Sequence, residues 1–392
     1  MRALFLGLVI VVLGVSGAVA QTPCGGSFDA FVADLKKEAR SHGHSRREVD
    51  GFFQGVEQDE RTLRADRAQG IFTKPFLDFA KAVISGYRMD LGKKNNAKYD
   101  AVFNQAMRDY GVSRGVLLAF WALETDFGGF QGDFNTRNSL VTLSHDCRRP
   151  ELFRPQVFAA IELYARGDFD PKNTTGAWAG EIGMVQMLPE DIIEFGVDGD
   201  GDGTVALKTS PHDALLSGAK MLQSLGWRHG EPWLQEVVLP NRFDVSQTGI
   251  ATKLSVRDWA RKGVKARNGK LGNASLESSI LLPQGKGGPA FIAYPNFDVF
   301  FEWNQSFTYV TTAAYFATRL EGAPIMEAGT PQPGLDQPQM KELQRKLSAR
   351  GYDVGEVDGI LGAGTRAAVR AEQARLGLPA DAWPTPDLLG RL

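Results

Sequence analysis

SRGVLLAFWALETDFGG, Ser113 to Gly129, is an apolar helical run that ends on one glutamate and two glycines. Ser113 suits the N-cap, Val116, Leu117, Phe120 and Leu123 recur at helical spacing, and Gly128-Gly129 supplies the stop. Glu124 falls one residue past Leu123, where a carboxylate against an apolar wall costs free energy unless it is paired or used in chemistry. Burial raises a carboxyl pKa from about 4.3 toward neutrality, as a general acid requires. Asp126 is no ready second carboxylate: at i+2 it points about 200° round the helix from Glu124. Taken alone, the motif also fits a salt-bridged or solvent-facing glutamate.

Helical patterning extends on both sides. Phe28, Phe31, Val32 and Leu35 follow Ser27 at i, i+3, i+4, i+7. Ser45 and Glu48 have capping-box spacing before Val49, Phe52, Phe53 and Val56. A further helix is predicted from Pro155, with Val157, Phe158 and Ile161 inward. VVLP, SSILLP and AFIAYPNFDVFF then read as β-prone segments of a small sheet, before a helix over about Ser306–Leu320. GAPIMEAGTPQPGLDQPQ, from Gly322, has a linker's composition. Beyond it, Met340, Leu343 and Leu347 form one amphipathic stripe, and a second helix runs through Ala367 to Leu376. The expected class is α+β, mainly α, with a small β-subdomain and a C-terminal three-helix module. The expected division is 1–20, 27–321, 322–337 and 338–392.

At 392 residues the chain exceeds what one core organises, and a net charge of −2 gives no case for a nucleic-acid partner. Arg2, the apolar run Leu4–Val15 and Ala18-Val19-Ala20 read as a signal peptide cleaved after Ala20, with no membrane anchor evident. The expected location is the periplasm. In that compartment the only two cysteines, Cys24 and Cys147, favour a disulfide; two free buried thiols are the alternative. The five histidines show no metal-ligand spacing.

GAWAGEIGMVQMLP (Gly176–Pro189) is a loop dense in small residues that ends in Gln186 and Pro189. The Glu124 helix, this loop, NTRNSL, LLPQGKGGPAFIAYPNF and WNQSFTYV together resemble the lytic murein transglycosylase B family, from about Phe28 to Leu320. The resemblance implies a lysozyme-like catalytic domain that cleaves the MurNAc–GlcNAc β-1,4 bond of peptidoglycan without water. Glu124 would be the single acid/base, with a 1,6-anhydro-MurNAc end as product and no catalytic cofactor. A lone carboxylate suffices because the substrate brings its own nucleophile, whereas most glycosidases need two. A hydrolytic muramidase and a non-catalytic peptidoglycan-binding protein are the alternatives.

By the same resemblance, Gln186, Tyr294, Asn296, Trp303, Asn304, Ser306 and Tyr309 would lie along the sugar-binding groove. Trp303, Phe297 and Met221 stand where relatives carry tyrosine. Glu181, where many relatives have alanine, is a candidate second carboxylate or a solvated loop residue. DGDGDGTVAL (Asp198–Leu207) carries EF-hand-loop chemistry: Asp198, Asp200 and Asp202 alternate, and Thr204 offers a carbonyl. Asp213 is the candidate closing ligand, since Thr209 occupies the position of the usual Glu. The expected ion is a structural Ca²⁺. LQRKLSARGYDVGEVDGILGAGTRAAVRAEQARLGL resembles the type 1 peptidoglycan-binding domain, which makes glycan strands the expected partner. Ala363 and Glu372 depart from that pattern.

Overall fold

In the computed structural model, residues 22–68 and 74–392 are described, and among them helices dominate. The signal-peptide reading falls on residues 1–20, outside the described residues. Helices α1 (Phe28–Ser41), α2 (Arg46–Phe53), α3 (Glu60–Arg67), α4 (Phe76–Val83), α5 (Gly86–Lys98) and α6 (Asp100–Tyr110) lead to α7 (Arg114–Thr125). The expected capping box starts α2: Ser45 Oγ accepts from Glu48 N–H, and the Glu48 carboxylate accepts from Ser45 N–H.

Helix α7 is the axis of the molecule. Val116 through Ala122 are all buried, as expected of a helix that is apolar all round. Its first turn is finished from outside. The Ser113 hydroxyl donates to Glu321, whose carboxylate also accepts from Gly115 N–H at 3.2 Å. Gly115 is required there, since a Cβ would sit 2.6 Å from Ala317 O. Ala317 belongs to α14 (Phe307–Leu320), which packs along α7. The helix stops before the predicted glycines. Asp126 and Phe127 already adopt left-handed backbone, φ 51° and 59°, and Asp126 Oδ1 accepts from Arg88 Nε at 2.9 Å.

Around this axis the chain adds β1 (Phe134–Asn135), α8 (Thr136–His145), α9 (Pro150–Arg166), β2 (Thr175–Gly176), α10 (Pro189–Phe195) and α11 (Pro211–Ser224). Helix α9 begins five residues before the predicted Pro155, at Pro150 in the first turn, and Pro155 lies inside it. Cys24 and Cys147 form the expected disulfide, Cα–Cα 5.2 Å, which ties the N-terminal segment to the α8–α9 connection.

The small sheet comprises β3 (Leu234–Val238), β4 (Leu254–Ser255), β5 (Lys265–Ala266), β6 (Glu277–Leu281) and β7 (Phe291–Ala293), antiparallel throughout in the order β4-β6-β7-β3-β5. Leu234, Leu281, Phe291 and Ala293 join the helical core, while Val237, Ile280 and Ile292 join a second core around Trp259 from α12 (Val256–Arg261). One β-prone reading is corrected. PNFDVFF is helical, within α13 (Pro295–Trp303), where Pro295 opens the helix and buried Phe297 and Phe300 outweigh strand propensity.

The C-terminal module holds α15 (Gln337–Ser348), α16 (Ala363–Arg375) and α17 (Pro386–Arg391) around its own core, and the predicted stripe of Met340, Leu343 and Leu347 is buried. The proline- and glycine-rich segment before it is laid on the rest of the chain: Thr330 N–H donates to Gly287 O and Met326 N–H to the Tyr315 hydroxyl.

Candidate active site

Glu124 ends α7 half-buried, and its Oε1 accepts two hydrogen bonds from residues far along the chain. The Tyr309 hydroxyl donates at 2.5 Å and Trp303 Nε1 at 3.1 Å; Oε2 is bonded to neither. Desolvation raises the Glu124 pKa, and the bonds from Tyr309 and then Trp303 oppose the rise. Burial, with the Glu124 charge beside it, holds the Tyr309 pKa well above its ordinary value, so the phenol stays a donor. Trp303 also stacks on Phe120, ring centroids 4.3 Å apart, which fixes the indole against α7.

The Gly176–Pro189 loop is anchored to the end of α7. The Thr125 hydroxyl donates to Met184 O at 2.7 Å. Gly183, φ 81°, lets this turn press on Leu207, since a Cβ would lie 2.5 Å from the Leu207 Cβ. Gln186 adopts left-handed backbone (φ 53°), and its amide donates to Gly183 O at 2.7 Å. Glu181 lies in the same loop. Its Oε2 is buried without a hydrogen-bond partner, and its pKa is raised by burial first. Its own backbone N–H opposes the rise, and the Glu124 charge adds to it. The two carboxyls are therefore electrostatic neighbours.

The expected groove residues separate into three groups. Trp303 and Tyr309 meet Glu124 itself, a direct partnership that residues 179 and 185 positions away in sequence gave no local signal for. Asn304 and Ser306 shape the turn between α13 and α14: Asn304 Oδ1 accepts from Ser306 N–H, and Ser306 Oγ caps α14 by accepting from Tyr309 N–H. Tyr294 and Asn296 are corrected, being 1% and 0% exposed. The Tyr294 hydroxyl donates to Gln235 and accepts from Gly272 N–H, and Asn296 clamps the backbone of Arg228 and Glu231. Their polar atoms are used inside the fold.

In the acidic loop, oxygens of Asp198, Asp200 and Asp202 lie within 4.8 Å of one another at the surface. The trio fits an oxygen-loving cation in donor type and convergence. Thr204 donates its N–H and hydroxyl to Asp202 Oδ1. Asp213 stands apart: it is fully buried, and its oxygens accept from Gly199 N–H, Ala206 N–H and the Ser210 hydroxyl. It closes the loop through backbone N–H groups.

A half-buried carboxyl with its proton affinity raised, held by fixed donors among helices, is equipped to give and take a proton. Residues 27–318 match the Transglycosylase SLT domain family, and residues 336–392 match a peptidoglycan binding domain. The chain superposes on SltB3 of Pseudomonas aeruginosa, solved in complex with NAG-anhNAM-pentapeptide. The TM-score is 0.86 at 35% identity, covering 94% of this chain and 99% of that one. It is 27% identical over 286 residues to membrane-bound lytic murein transglycosylase B of Escherichia coli K12, covering 70% of this chain and 78% of that one. Slt35 of Escherichia coli, solved in complex with calcium, shares the fold at TM-score 0.65 and 24% identity, covering 76% of this chain and 96% of that one. The chain belongs to the SLT-domain lytic transglycosylases, enzymes of peptidoglycan. No described helix is long and apolar enough to cross a membrane.

Proposed function

We propose that Glu124 is the single acid/base of a lytic transglycosylase that cleaves the MurNAc–GlcNAc β-1,4 bond and leaves a 1,6-anhydro-MurNAc end. The observation that carries this reading is the asymmetry of the carboxyl: both protein donors reach Oε1, so the proton belongs on Oε2. From there it passes to the leaving glycosidic oxygen. The resulting carboxylate, steadied by Tyr309 and Trp303, then takes the proton of the MurNAc C6 hydroxyl as that oxygen closes on C1. Atoms balance without water, and a second carboxylate is not needed as nucleophile or base. Gln186 is a sugar contact at the same loop, its amide oriented by Gly183 O. The catalytic unit takes residues 27–321, and 338–392 hold it to glycan strands, joined by 322–337. The chain is exported to the periplasm and processed after Ala20.

The orphaned Oε2 of Glu181 favours one second reading, hydrolysis with Glu181 as the water-activating base. Purified sacculi digested with wild type and Glu124→Gln, with products identified by mass spectrometry, separate the two. Anhydro ends from wild type alone support the proposal; reducing ends overturn it. Asp198, Asp200 and Asp202 would hold Ca²⁺, which offsets their mutual repulsion and braces the turn into α11. Chelation should lower the Tm by several degrees without removing residual activity, and added Ca²⁺ should restore it; an unchanged Tm would remove the ion from the account.

A further inference from the structure

Helix α7 stops before the glycines that would end it without strain. Asp126 and Phe127 take left-handed backbone, φ 51° and 59°, although Gly128 and Gly129 come next in the chain. A side chain in that region crowds its own carbonyl, a penalty that glycine avoids. Strain of this kind persists only where neighbours hold it, and it gathers at functional sites. Here it begins directly after the turn that carries Glu124.

The neighbour that holds it is α5. Arg88 Nε donates to Asp126 Oδ1 at 2.9 Å and Nη1 donates to Val83 O at 3.2 Å, so the guanidinium is fixed on both sides. The Arg88 N–H is itself taken by Ser85 Oγ, which caps α5. One turn along, buried Gly92 lets α5 close on Phe127 and on α14. A Cβ there would lie 2.6 Å from Leu320 Cδ2 and 3.4 Å from Phe127 Cζ. One helix therefore secures both left-handed residues. Their N–H groups complete the end of α7, Asp126 donating to Ala122 O and Phe127 to Trp121 O, each at 3.0 Å.

Arg88 has a second reach. Burial first, and then the Glu124 charge, raise the Tyr309 pKa, and the Arg88 charge opposes that rise. A cation that makes a phenol more acidic also makes it a better hydrogen-bond donor. Among the described residues, the charged groups acting on the Glu124–Tyr309 pair are Arg88 from α5, balanced by Asp126, and Glu181 from the Gly176–Pro189 loop. Trp303 from α13 adds an uncharged bond.

We propose that Arg88 is a positioning residue for the acid of this enzyme, directing Glu124 through Asp126 and strengthening the bond that Tyr309 donates to Oε1. The inference rests on the acid/base role proposed above for Glu124. The ion pair with Asp126 fixes where α7 ends, and with it the direction in which Glu124 leaves the helix. The charge favours donation from Tyr309 to Oε1, which keeps the proton on Oε2.

The test is the pH dependence of anhydro-end formation by the full-length protein on defined glycan strands. Arg88→Gln should lower kcat about tenfold with KM held within about twofold, since a misdirected acid slows chemistry and spares binding. Its alkaline limb of kcat/KM should move to higher pH, because a weaker bond from Tyr309 lets Glu124 keep its proton longer. Arg88→Lys retains the charge and should hold the limb near its wild-type place. Asp126→Asn tolerates left-handed backbone but leaves the Arg88 charge unbalanced, so its limb should move to lower pH. A purely structural lesion would lower rates without moving the two limbs in opposite directions. In a Tyr309→Phe background, the shift caused by Arg88→Gln should shrink. Unmoved limbs, or a shift undiminished without the phenol, overturn the proposal. The Asp126→Asn arm decides the matter even where Arg88→Gln does not fold. Wild-type products keep two failures apart. Anhydro ends with unmoved limbs remove Arg88 alone, whereas no anhydro ends remove the transglycosylase reading beneath it.

Discussion

Glu124 and Glu181 are two half-buried carboxyls in electrostatic reach of each other, and desolvation raises the pKa of both. They differ in what holds them. Glu124 has one oxygen fixed by Tyr309 and Trp303 and the other left for a ligand, while Glu181 keeps a buried oxygen that nothing answers. Raised proton affinity alone therefore does not mark a general acid. On the proposed reading the mark is a proton-bearing oxygen in a fixed direction, set by two uncharged donors, an indole and a phenol whose pKa burial raises.

Removing the proton carrier should have the largest effect. Glu124→Gln keeps an oxygen for Tyr309 and Trp303 but cannot give or take a proton, so anhydro-product formation should fall by about three orders of magnitude or more. The free enzyme must hold the proton, so wild-type kcat/KM should fall as pH rises through the raised pKa of Glu124. Tyr309→Phe comes next, with an expected loss of about ten- to a hundredfold from a mispositioned carboxyl. Because the Tyr309 bond lowers the Glu124 pKa, its removal should also shift the alkaline limb to higher pH. An unshifted limb would show that Tyr309 only packs. Trp303→Phe keeps the stack on Phe120 and loses the weaker donor, so its rate loss should be smaller, within about tenfold, with a smaller shift of the same sign.

How much of this could be read in the sequence follows from the range of the forces involved. The Ser45–Glu48 box, the apolar axis Val116–Ala122 and the stripe of Met340, Leu343 and Leu347 are local periodicities, and the fold follows them. The end of α7 was misplaced because Asp126, a residue that tolerates left-handed backbone, is secured by Arg88 from another helix. PNFDVFF looked β-prone because residue propensity is blind to the burial of Phe297 and Phe300. Tyr294 and Asn296 sit in the segment next to the one that carries Trp303 and Tyr309. Their partners, Gln235 of β3 and Gly272, Arg228 and Glu231 of loops, are tied to them by no local pattern. Glu124 stood out as a carboxylate on an apolar helix; the donors that orient it could be named only as residues of a resembling motif, without their contacts.

The smallest effect on rate is expected at Glu181, and it is the sharpest test of the comparison. If a carboxyl held only by backbone N–H groups has no part in proton transfer, Glu181→Gln should keep the wild-type rate within about threefold and still yield anhydro ends. Stability should respond instead. The folded protein holds the Glu181 proton more tightly than the unfolded chain, because burial penalises the charged form. Wild-type stability contributed by this group is therefore fully present below the unfolded carboxyl pKa and is lost as pH rises from there toward the raised folded value. Charges facing Glu181 act both ways, with Glu124 strengthening the effect and Arg149 from the start of α9 weakening it. Glu181→Gln removes the titration, so the Tm difference between variant and wild type should grow in the variant's favour from pH 4.5 to pH 8. A variant that keeps its stability profile but loses activity, where wild type releases reducing ends, would reverse the assignment. It would make the unanswered oxygen of Glu181 the base of a hydrolytic reaction, with Glu124 left as its acid.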